Sequence, residues 1–264
     1  MGPMLWQTAL LPSGWQSSMA AFSFVNVRIV TGTRDDGAKV GAGDMFAAAD
    51  AAGAARWGWG WGYLRNNADA TAEGVAAGQI AKKYNVAVYV LNAEKHAFGN
   101  EGEPKPADIA GNFAAFAAAF RAHAPGVLLS YGGYSYYAAG SAILNEIVGL
   151  FDMWGPMVYG TKRSTIAKKW AAEYERAAGA GIPFTPITGS GRVQADNGAV
   201  WGFANAKGSD PGLLELQAQY PAAAIQPFCG GGTPTGGSML VAGNAVNPSL
   251  PTLARELAGG AAVA

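Results

Sequence analysis

Short apolar runs rich in β-forming residues alternate along the chain with Ala-rich segments of helical periodicity, and this alternation constrains the fold most strongly. Eight of the runs are predicted to be strands, at residues 4–10, 25–32, 55–64, 86–93, 127–133, 151–160, 184–190 and 222–229. Helices are predicted between them, at residues 13–22, 43–53, 69–84, 106–126, 142–150, 164–181 and, in part, 210–220. Eight strands joined by helix-length connections over about 230 residues predict an α/β fold of the (β/α)8 TIM-barrel type.

The main competing fold is a doubly wound open sheet, which would carry a glycine-rich phosphate-binding turn between a strand and a helix. The nearest candidate, Gly189-Ser190-Gly191, does not open a helical segment. We therefore predict a barrel domain over residues 1–230. Residues 231–264 form a Gly-rich linker and a short apolar tail, which either packs on the barrel or docks on a partner chain.

Composition excludes several classes of function. The 18 basic and 18 acidic residues give no net charge, so the chain lacks the positive field that binds nucleic acid. One cysteine and two histidines are too few for a structural zinc site, and no cofactor motif is present, so no metal or cofactor is expected. The first residues do not resemble a signal peptide, and no apolar stretch is long enough to span a membrane, so a soluble protein is expected.

In a barrel, functional residues gather where the strands end and the following loops begin. Glu94 is the one carboxylate placed directly at a predicted strand end. The other candidates at these ends are Asp35 and Asp36 after strand two, Trp61 and Tyr63 on strand three, Asn92 on strand four, Tyr131 and Tyr134 on strand five, Tyr159 on strand six, and Gln226 on strand eight.

Strand three alternates aromatic residues with glycine over the segment WGWGWGY, so its aromatic side chains share one face. Trp57 and Trp59 are expected to fill the barrel interior or the layer between strands and helices. Trp61 and Tyr63 lie nearer the mouth, where an aromatic ring can stack on the C–H face of a sugar.

These segments carry a family resemblance. The strand-to-loop segment VNVRIVTGTRDDG, the strands WGWGWGYL and VYVLNAEKH, and the segment GPMVYG resemble glycoside-hydrolase-type barrels of the lysozyme-like and chitinase-like kinds found in phages and bacteria. Such barrels end strand four in D-x-E, with the glutamate as the acid. Here that motif is Asn92-Ala93-Glu94, and Met157-Val158-Tyr159 resembles the M-x-Y pattern of strand six.

The resemblance implies a hydrolase that cleaves a polysaccharide such as cell-wall glycan, with Glu94 as general acid. Cleavage usually needs a second carboxylate, for which Asp35 or Asp36 is the candidate. In a substrate-assisted route the sugar's own acetamido group attacks, oriented by Asn92 and Tyr159. Substrate contacts are expected from Trp61, Tyr63, Asn92, Tyr131, Tyr134, Tyr159 and Gln226.

Two alternatives remain open. Glu94 can instead serve structure, as the ion-pair partner of Arg28, Arg65 or Lys95 at the rim. The chain as a whole can be a non-catalytic barrel that binds glycan or forms part of a phage tail or virion, with the tail after Gly230 contacting other assembly proteins.

Overall fold

The structure is a computed structural model that describes residues 22–135, 141–158 and 163–189, together with residues 4–5, 16, 19, 193–194, 200–201 and 226–229. The predicted helices at 13–22 and 210–220, and the linker and tail at 231–264, lie almost entirely outside these residues.

Strands and helices alternate as the sequence predicts. The strands are β1 Met4–Leu5, β2 Phe24–Thr31, β3 Arg34–Asp35, β4 Ala55–Gly62, β5 Val88–Ala93, β6 Leu128–Tyr131, β7 Met153–Trp154, β8 Ile187–Gly189, β9 Val193–Gln194, β10 Val200–Trp201 and β11 Gln226–Cys229. The helices are α1 Gly37–Val40, α2 Ala42–Ala51, α3 Asn67–Lys83, α4 Lys95–Phe98, α5 Ile109–His123, α6 Ser141–Ile147 and α7 Arg163–Gly179, with a 3₁₀ turn at Val148–Leu150. Each of the eight predicted strands overlaps an observed one.

The main sheet is parallel, with strand order β7-β6-β5-β4-β2-β1-β11-β8, and only β3 joins it in the antiparallel sense, on β2. Backbone hydrogen bonds also connect the two ends of this order. Trp154 N donates to Pro183 O at 2.9 Å, Thr185 N to Trp154 O at 2.7 Å, and Val158 N to Ile187 O at 2.8 Å. A mixed α/β fold built on a mostly parallel sheet confirms the coarse prediction.

The two faces of the sheet are covered differently because β4 alternates tryptophan with glycine. Trp57 and Trp59 pack on one face, in a cluster with Met4, Phe24, Val88, Val90, Met157 and Ile187. On the opposite face a Cβ at Gly58 or Gly60 would collide with Ile29 or Tyr89. The glycines therefore make room for large side chains that pack against the helices.

Helices α3 and α5 pack against each other, and Gly74 of α3 lies against Phe116 and Ala119 of α5. Asn66 caps α3 by accepting from Asp69 N at 2.9 Å, and Asp108 caps α5 by accepting from Gly111 N at 2.8 Å. The predicted apolar face of α5 is buried as expected, through Ile109, Phe113, Phe116 and Phe120.

One local irregularity positions charged groups at the end of β2. The β2–β4 register shifts between Arg28 and Val30, so Arg28 pairs with Trp59 and Thr31 pairs with Trp61. This bulge brings Arg28 and Thr31 to the same face, where strict alternation would place them on opposite faces.

Candidate functional site

Glu94 follows β5 directly and begins the short helix α4, so its carboxyl lies at the carboxyl end of the sheet. Asn92 Nδ2 donates to Glu94 Oε1 at 3.0 Å, and the Tyr134 side chain also hydrogen bonds to this carboxyl. Asn92 in turn pairs with Trp61 on β4. Four of the predicted site residues are thus brought to one place.

Burial raises the pKa of Glu94, and the hydrogen bonds from Tyr134 and Asn92 lower it by less. The negative charge of Glu101 adds to the rise, and Lys95 opposes it. In the described part of the chain Glu94 makes no ion pair with any base: Arg28 pairs with Asp36, and Arg65 lies over the Tyr63 ring. The result is a carboxyl group that holds its proton to higher pH than an exposed glutamate, as a general acid must.

The amide of Asn92 has one unused hydrogen-bonding group. Asn92 is 3% exposed, and its buried Oδ1 accepts no hydrogen bond from any residue that the structure describes. A buried acceptor without a donor is costly and needs an explanation, and a ligand that supplies the missing donor is one such explanation.

The structure places Asp36 in a tight network that occupies both carboxylate oxygens. Arg28 Nη2 donates to Oδ2 at 3.0 Å, the Thr31 hydroxyl to Oδ2 at 2.5 Å, and Arg34 Nε to Oδ1 at 2.7 Å. Burial alone would raise the pKa of Asp36, but the bonds from Arg34 and Thr31 and the charge of Arg28 together hold that pKa below its usual value. This geometry makes Asp36 an ionised anchor of the loop after β2, and it gives no support to a role as second catalytic carboxylate.

Asp35 is turned away from Glu94. It pairs with Val30, whose side chain belongs to the core between sheet and helices, and antiparallel partners share a face. Its carboxylate accepts from Gly37 N at 2.9 Å, from Lys83 Nζ at 2.6 Å and from the Tyr84 hydroxyl at 3.2 Å. The expectation that Asp35 assists Glu94 does not fit this position, because Lys83 and Tyr84 stand at the C-terminal end of α3.

The predicted aromatic contacts divide into two groups. Trp61 and Tyr63 are partly exposed near the strand ends, and the Tyr63 ring meets His96 edge-on at 5.0 Å between centroids. Tyr131 is fully buried, stacked on Trp154 at 4.3 Å, with its hydroxyl donating to Tyr134 O at 2.9 Å. Tyr131 therefore supports the loop that carries Tyr134, and its predicted contact with substrate is not possible from this position.

Two predicted site residues cannot be placed. Tyr159 lies outside the described residues, and only the backbone of Gln226 is described, in β11 beside Ile187.

Across the described ranges, no group of three or more His, Cys, Asp or Glu side chains is arranged to hold a metal ion. The same residues include no helix long and apolar enough to cross a membrane.

Comparison with known proteins identifies the architecture. No protein-family model matches the sequence, and no curated protein matches it. Solved structures, in contrast, include several that are similar to this chain. A GH18 chitinase from Pseudoalteromonas aurantia is similar at a TM-score of 0.65 and 12% identity, over 86% of this chain and 93% of that one. The chain has a chitinase-like fold.

Two structures from Cycas revoluta agree, and each covers 98% of this chain and 100% of its own at 12% identity. One is a plant class V chitinase mutant in complex with (GlcNAc)3, at a TM-score of 0.63. The other is a GH18 chitinase in complex with allosamidin, at 0.62. The predicted resemblance to chitinase-like barrels is confirmed at the level of fold.

Within the chitinase-like fold, two residues near the site were missed by sequence reasoning. The sequence predicts Arg28 only as a possible partner of Glu94, although a charged residue inside an apolar strand is itself a signal of a buried ion pair. Glu73 has no sequence signal beyond its place in the helix predicted at 69–84, yet it is 5% exposed and lines a cavity beside Tyr63. No local pattern marks it, because its burial depends on how the chain after β4 folds over α3.

Proposed function

We propose that this chain is a glycoside hydrolase that cleaves a polysaccharide containing N-acetylated amino sugars, with Glu94 as general acid. The observation that carries the proposal is the pair at the end of β5: a carboxyl with a raised pKa lies next to a buried amide oxygen that accepts from none of the described residues. The GH18 chitinase neighbours, two of them in complex with (GlcNAc)3 or allosamidin, support this choice of substrate class.

The proposal includes closure of the sheet into the (β/α)8 barrel that the sequence predicts. The hydrogen bonds between the β7 region and residues 183–187 support closure, because they join the two ends of the strand order. In a closed barrel, the ends of β2, β4, β5 and β6 surround one mouth, and Glu94 lies at its rim.

The chemistry follows a substrate-assisted route. Glu94 donates its proton to the glycosidic oxygen while the acetamido carbonyl oxygen attacks the anomeric carbon and the bond to the leaving sugar breaks. Asn92 Oδ1 accepts the acetamido N–H and so aims the carbonyl. Water then attacks the anomeric carbon, opens the five-membered ring that the acetamido group formed there, and returns a proton to Glu94. No second carboxylate is required, which accommodates the positions of Asp35 and Asp36.

A second candidate function is glycan binding without cleavage, and Asn92 is the observation that favours it. The acetamido attack creates a positive charge, and a neutral amide stabilises that charge less than the aspartate of a D-x-E motif would. A role in a phage tail or virion stays a prediction, since the tail at 231–264 lies outside the described residues.

The deciding experiment measures reducing ends released from chitin oligomers, de-N-acetylated chitosan oligomers and peptidoglycan by the wild type, Glu94→Gln and Glu101→Gln. Glu101 is the matched control because it is exposed and carries the same charge nearby. We expect Glu94→Gln to lose a factor of about 10² to 10⁴ in kcat, and Glu101→Gln to stay within twofold of the wild type.

Cleavage of chitin but not chitosan oligomers supports acetamido assistance. Equal cleavage of both refutes that assistance. If the wild type binds chitin oligomers in calorimetry but releases no reducing ends, the chain is a binding protein.

A further inference from the structure

The cavity beside Tyr63 has the features of a built site. It has a volume of about 370 Å³, near the lower end of the range of roughly 300 to 1,000 Å³ typical of small-molecule sites, and so has room for one sugar unit. Its lining residues come from the loop after β2, the end of β4 and the first turns of α3: Thr31, Gly32, Thr33, Arg34, Tyr63, Arg65, Asp69, Ala72 and Glu73.

Glu73 supplies a buried polar atom that faces this cavity. Its Oε2 accepts from Tyr63 N at 2.9 Å and from Leu64 N at 3.4 Å. Glu73 is only 5% exposed, yet its other oxygen, Oε1, makes no hydrogen bond with the residues that the structure describes. Fixing one oxygen on the backbone leaves the second as a rigidly held group for a ligand hydroxyl.

Arg65 supplies an unpaired positive charge at the same cavity. Its guanidinium lies 4.9 Å from the Tyr63 ring centroid, and it makes no ion pair or hydrogen bond within the described part of the chain. Arg34 is different, because it already forms an ion pair with Asp36, which it shares with Arg28. The cavity therefore presents one guanidinium that lacks a counter-ion, stacked on an aromatic ring that holds it in place.

The surrounding carboxyl groups decide which anion fits. Asp69 and Glu73 line the cavity together with Arg65, so a doubly charged phosphate would meet two acidic neighbours and one free base. A singly charged carboxylate matches one guanidinium in charge and in its planar, bidentate geometry. The threonine hydroxyls and Glu73 are suited to the hydroxyl groups of a sugar.

The cavity is connected to the Glu94 end of the sheet through Tyr63. That ring contacts His96, which follows Glu94 by two residues in α4, and Trp61 on the same strand pairs with Asn92. A glycan that passes Glu94 can therefore place a neighbouring unit in the cavity.

We propose that this cavity binds a carboxylate-bearing sugar unit of the glycan, with Arg65 pairing its carboxylate and Glu73 Oε1 hydrogen bonding to a ring hydroxyl. The proposal rests on the glycan-directed function argued above and narrows its substrate to an acidic polysaccharide. Uronic acids and amino sugars bearing a lactyl ether are two kinds of unit with this chemistry.

Protonation of Glu73 adds a pH signature. Burial raises the pKa of Glu73 to about 7, against the hydrogen bonds from Tyr63 and Leu64. The charged groups facing it are Asp69 on its own helix, which raises that pKa, and Arg65, which lowers it, while the Tyr89 hydroxyl on β5 is neutral. A protonated Glu73 removes one negative charge from the cavity, so acidic sugars should bind more tightly at pH 6 than at pH 8.

The test is calorimetric binding of three disaccharides by the full chain: one with glucuronic acid, one of N-acetylglucosamine linked to N-acetylmuramic acid, and uncharged N,N′-diacetylchitobiose. Arg65→Gln is the main variant, and Lys39→Gln is its control because Lys39 is exposed and does not line the cavity. We expect at least one acidic disaccharide to bind the wild type at least tenfold more tightly than chitobiose, and Arg65→Gln to remove that preference without weakening chitobiose.

Which acidic disaccharide binds identifies the source of the carboxylate. Glu73→Gln should bind the acidic sugar with an affinity that no longer changes between pH 6 and 8. An acidic preference that persists in Arg65→Gln, or no preference in the wild type, overturns the proposal. Because binding is measured without cleavage, an Arg65-dependent preference in a chain that hydrolyses nothing upholds this site and refutes only the hydrolase.

Discussion

Asn92 Nδ2 donates a hydrogen bond to Glu94 Oε1 at 3.0 Å, and Asn92 Oδ1 has no donor among the described residues. The Asn92 amide therefore uses its nitrogen to bind the Glu94 carboxyl, while its oxygen stays available as an acceptor. The pair therefore places a glutamate with a raised pKa beside a buried amide at the end of β5.

Replacing Asn92 with aspartate should increase hydrolysis. The substitution places a negative charge where the attacking acetamido group becomes positive, and it raises the pKa of Glu94 by removing a donor and adding a like charge. We expect kcat on chitin oligomers to rise at least tenfold at pH 5 to 6. Asn67→Asp, at an exposed position, should leave kcat unchanged. A fall in kcat for Asn92→Asp would contradict the assignment of Asn92.

Tyr134→Phe should extend activity to higher pH. The Tyr134 hydroxyl lowers the pKa of Glu94 by stabilising its carboxylate, so its loss raises that pKa. Because the reaction needs protonated Glu94, the alkaline limb of the kcat profile moves to higher pH. Tyr84→Phe is the contrast: its hydroxyl donates to Asp35, which is turned away from Glu94, so the change should cost about 1 kcal/mol of stability and leave the limb in place. If the alkaline limb of the kcat profile does not move in Tyr134→Phe, the hydrogen bond between Tyr134 and Glu94 is refuted.

Asp36→Asn should destabilise the protein by about 3 kcal/mol or more in urea unfolding at pH 7, because it leaves the mostly buried Arg28 without its counter-ion. Asp44→Asn, which is exposed, should change stability by less than about 0.5 kcal/mol. The folded pKa of Asp36 lies below its unfolded value of 3.8, so its contribution is complete above pH 4 and is lost as pH falls through the folded pKa. Asp36→Asn should lose this part of the acid sensitivity.

Glu73 should make the wild type less stable as pH rises. Its folded pKa of about 7 exceeds the unfolded value of 4.5, so the folded state holds a proton that the unfolded state releases. Stability should therefore fall by on the order of 3 kcal/mol between pH 4.5 and 7 and be unaffected by this group above that range. Unfolding of Glu73→Gln over the same range should lack this decline. Equal pH slopes for the two proteins would show that Glu73 titrates normally.

A pair of helical glycines tests the packing of α3 on α5. A Cβ at Gly74 would collide with Phe116 O and lie 2.9 Å from Ala119 Cβ, whereas a Cβ at Gly43 in α2 meets nothing within 4 Å. Gly74→Ala should cost about 1 to 3 kcal/mol through overpacking. Gly43→Ala should gain about 0.5 to 1 kcal/mol, because alanine is the better helix former. Thermal unfolding of both variants measures the contrast, and a stable Gly74→Ala would mean that the helices lie further apart.

The sequence alone determined the order of strands and helices, because period-two and helical patterns are local properties of the chain. It also placed Glu94 and Asn92 at the end of one strand and predicted the buried faces of Trp57, Trp59 and α5. These features need no knowledge of neighbouring strands.

The tertiary structure decided which groups meet. A one-residue bulge in β2 places Arg28 and Thr31 on a common face, where both bind Asp36. The pairing of β3 with β2 places Asp35 on the other face, where it binds Lys83 of α3. Asp35 and Asp36 are neighbouring aspartates with the same side chain, so only the register between strands decides which partners each one binds. The burial of Tyr131 and of Glu73 has the same origin, since it depends on which helix covers each strand and not on the residues beside them.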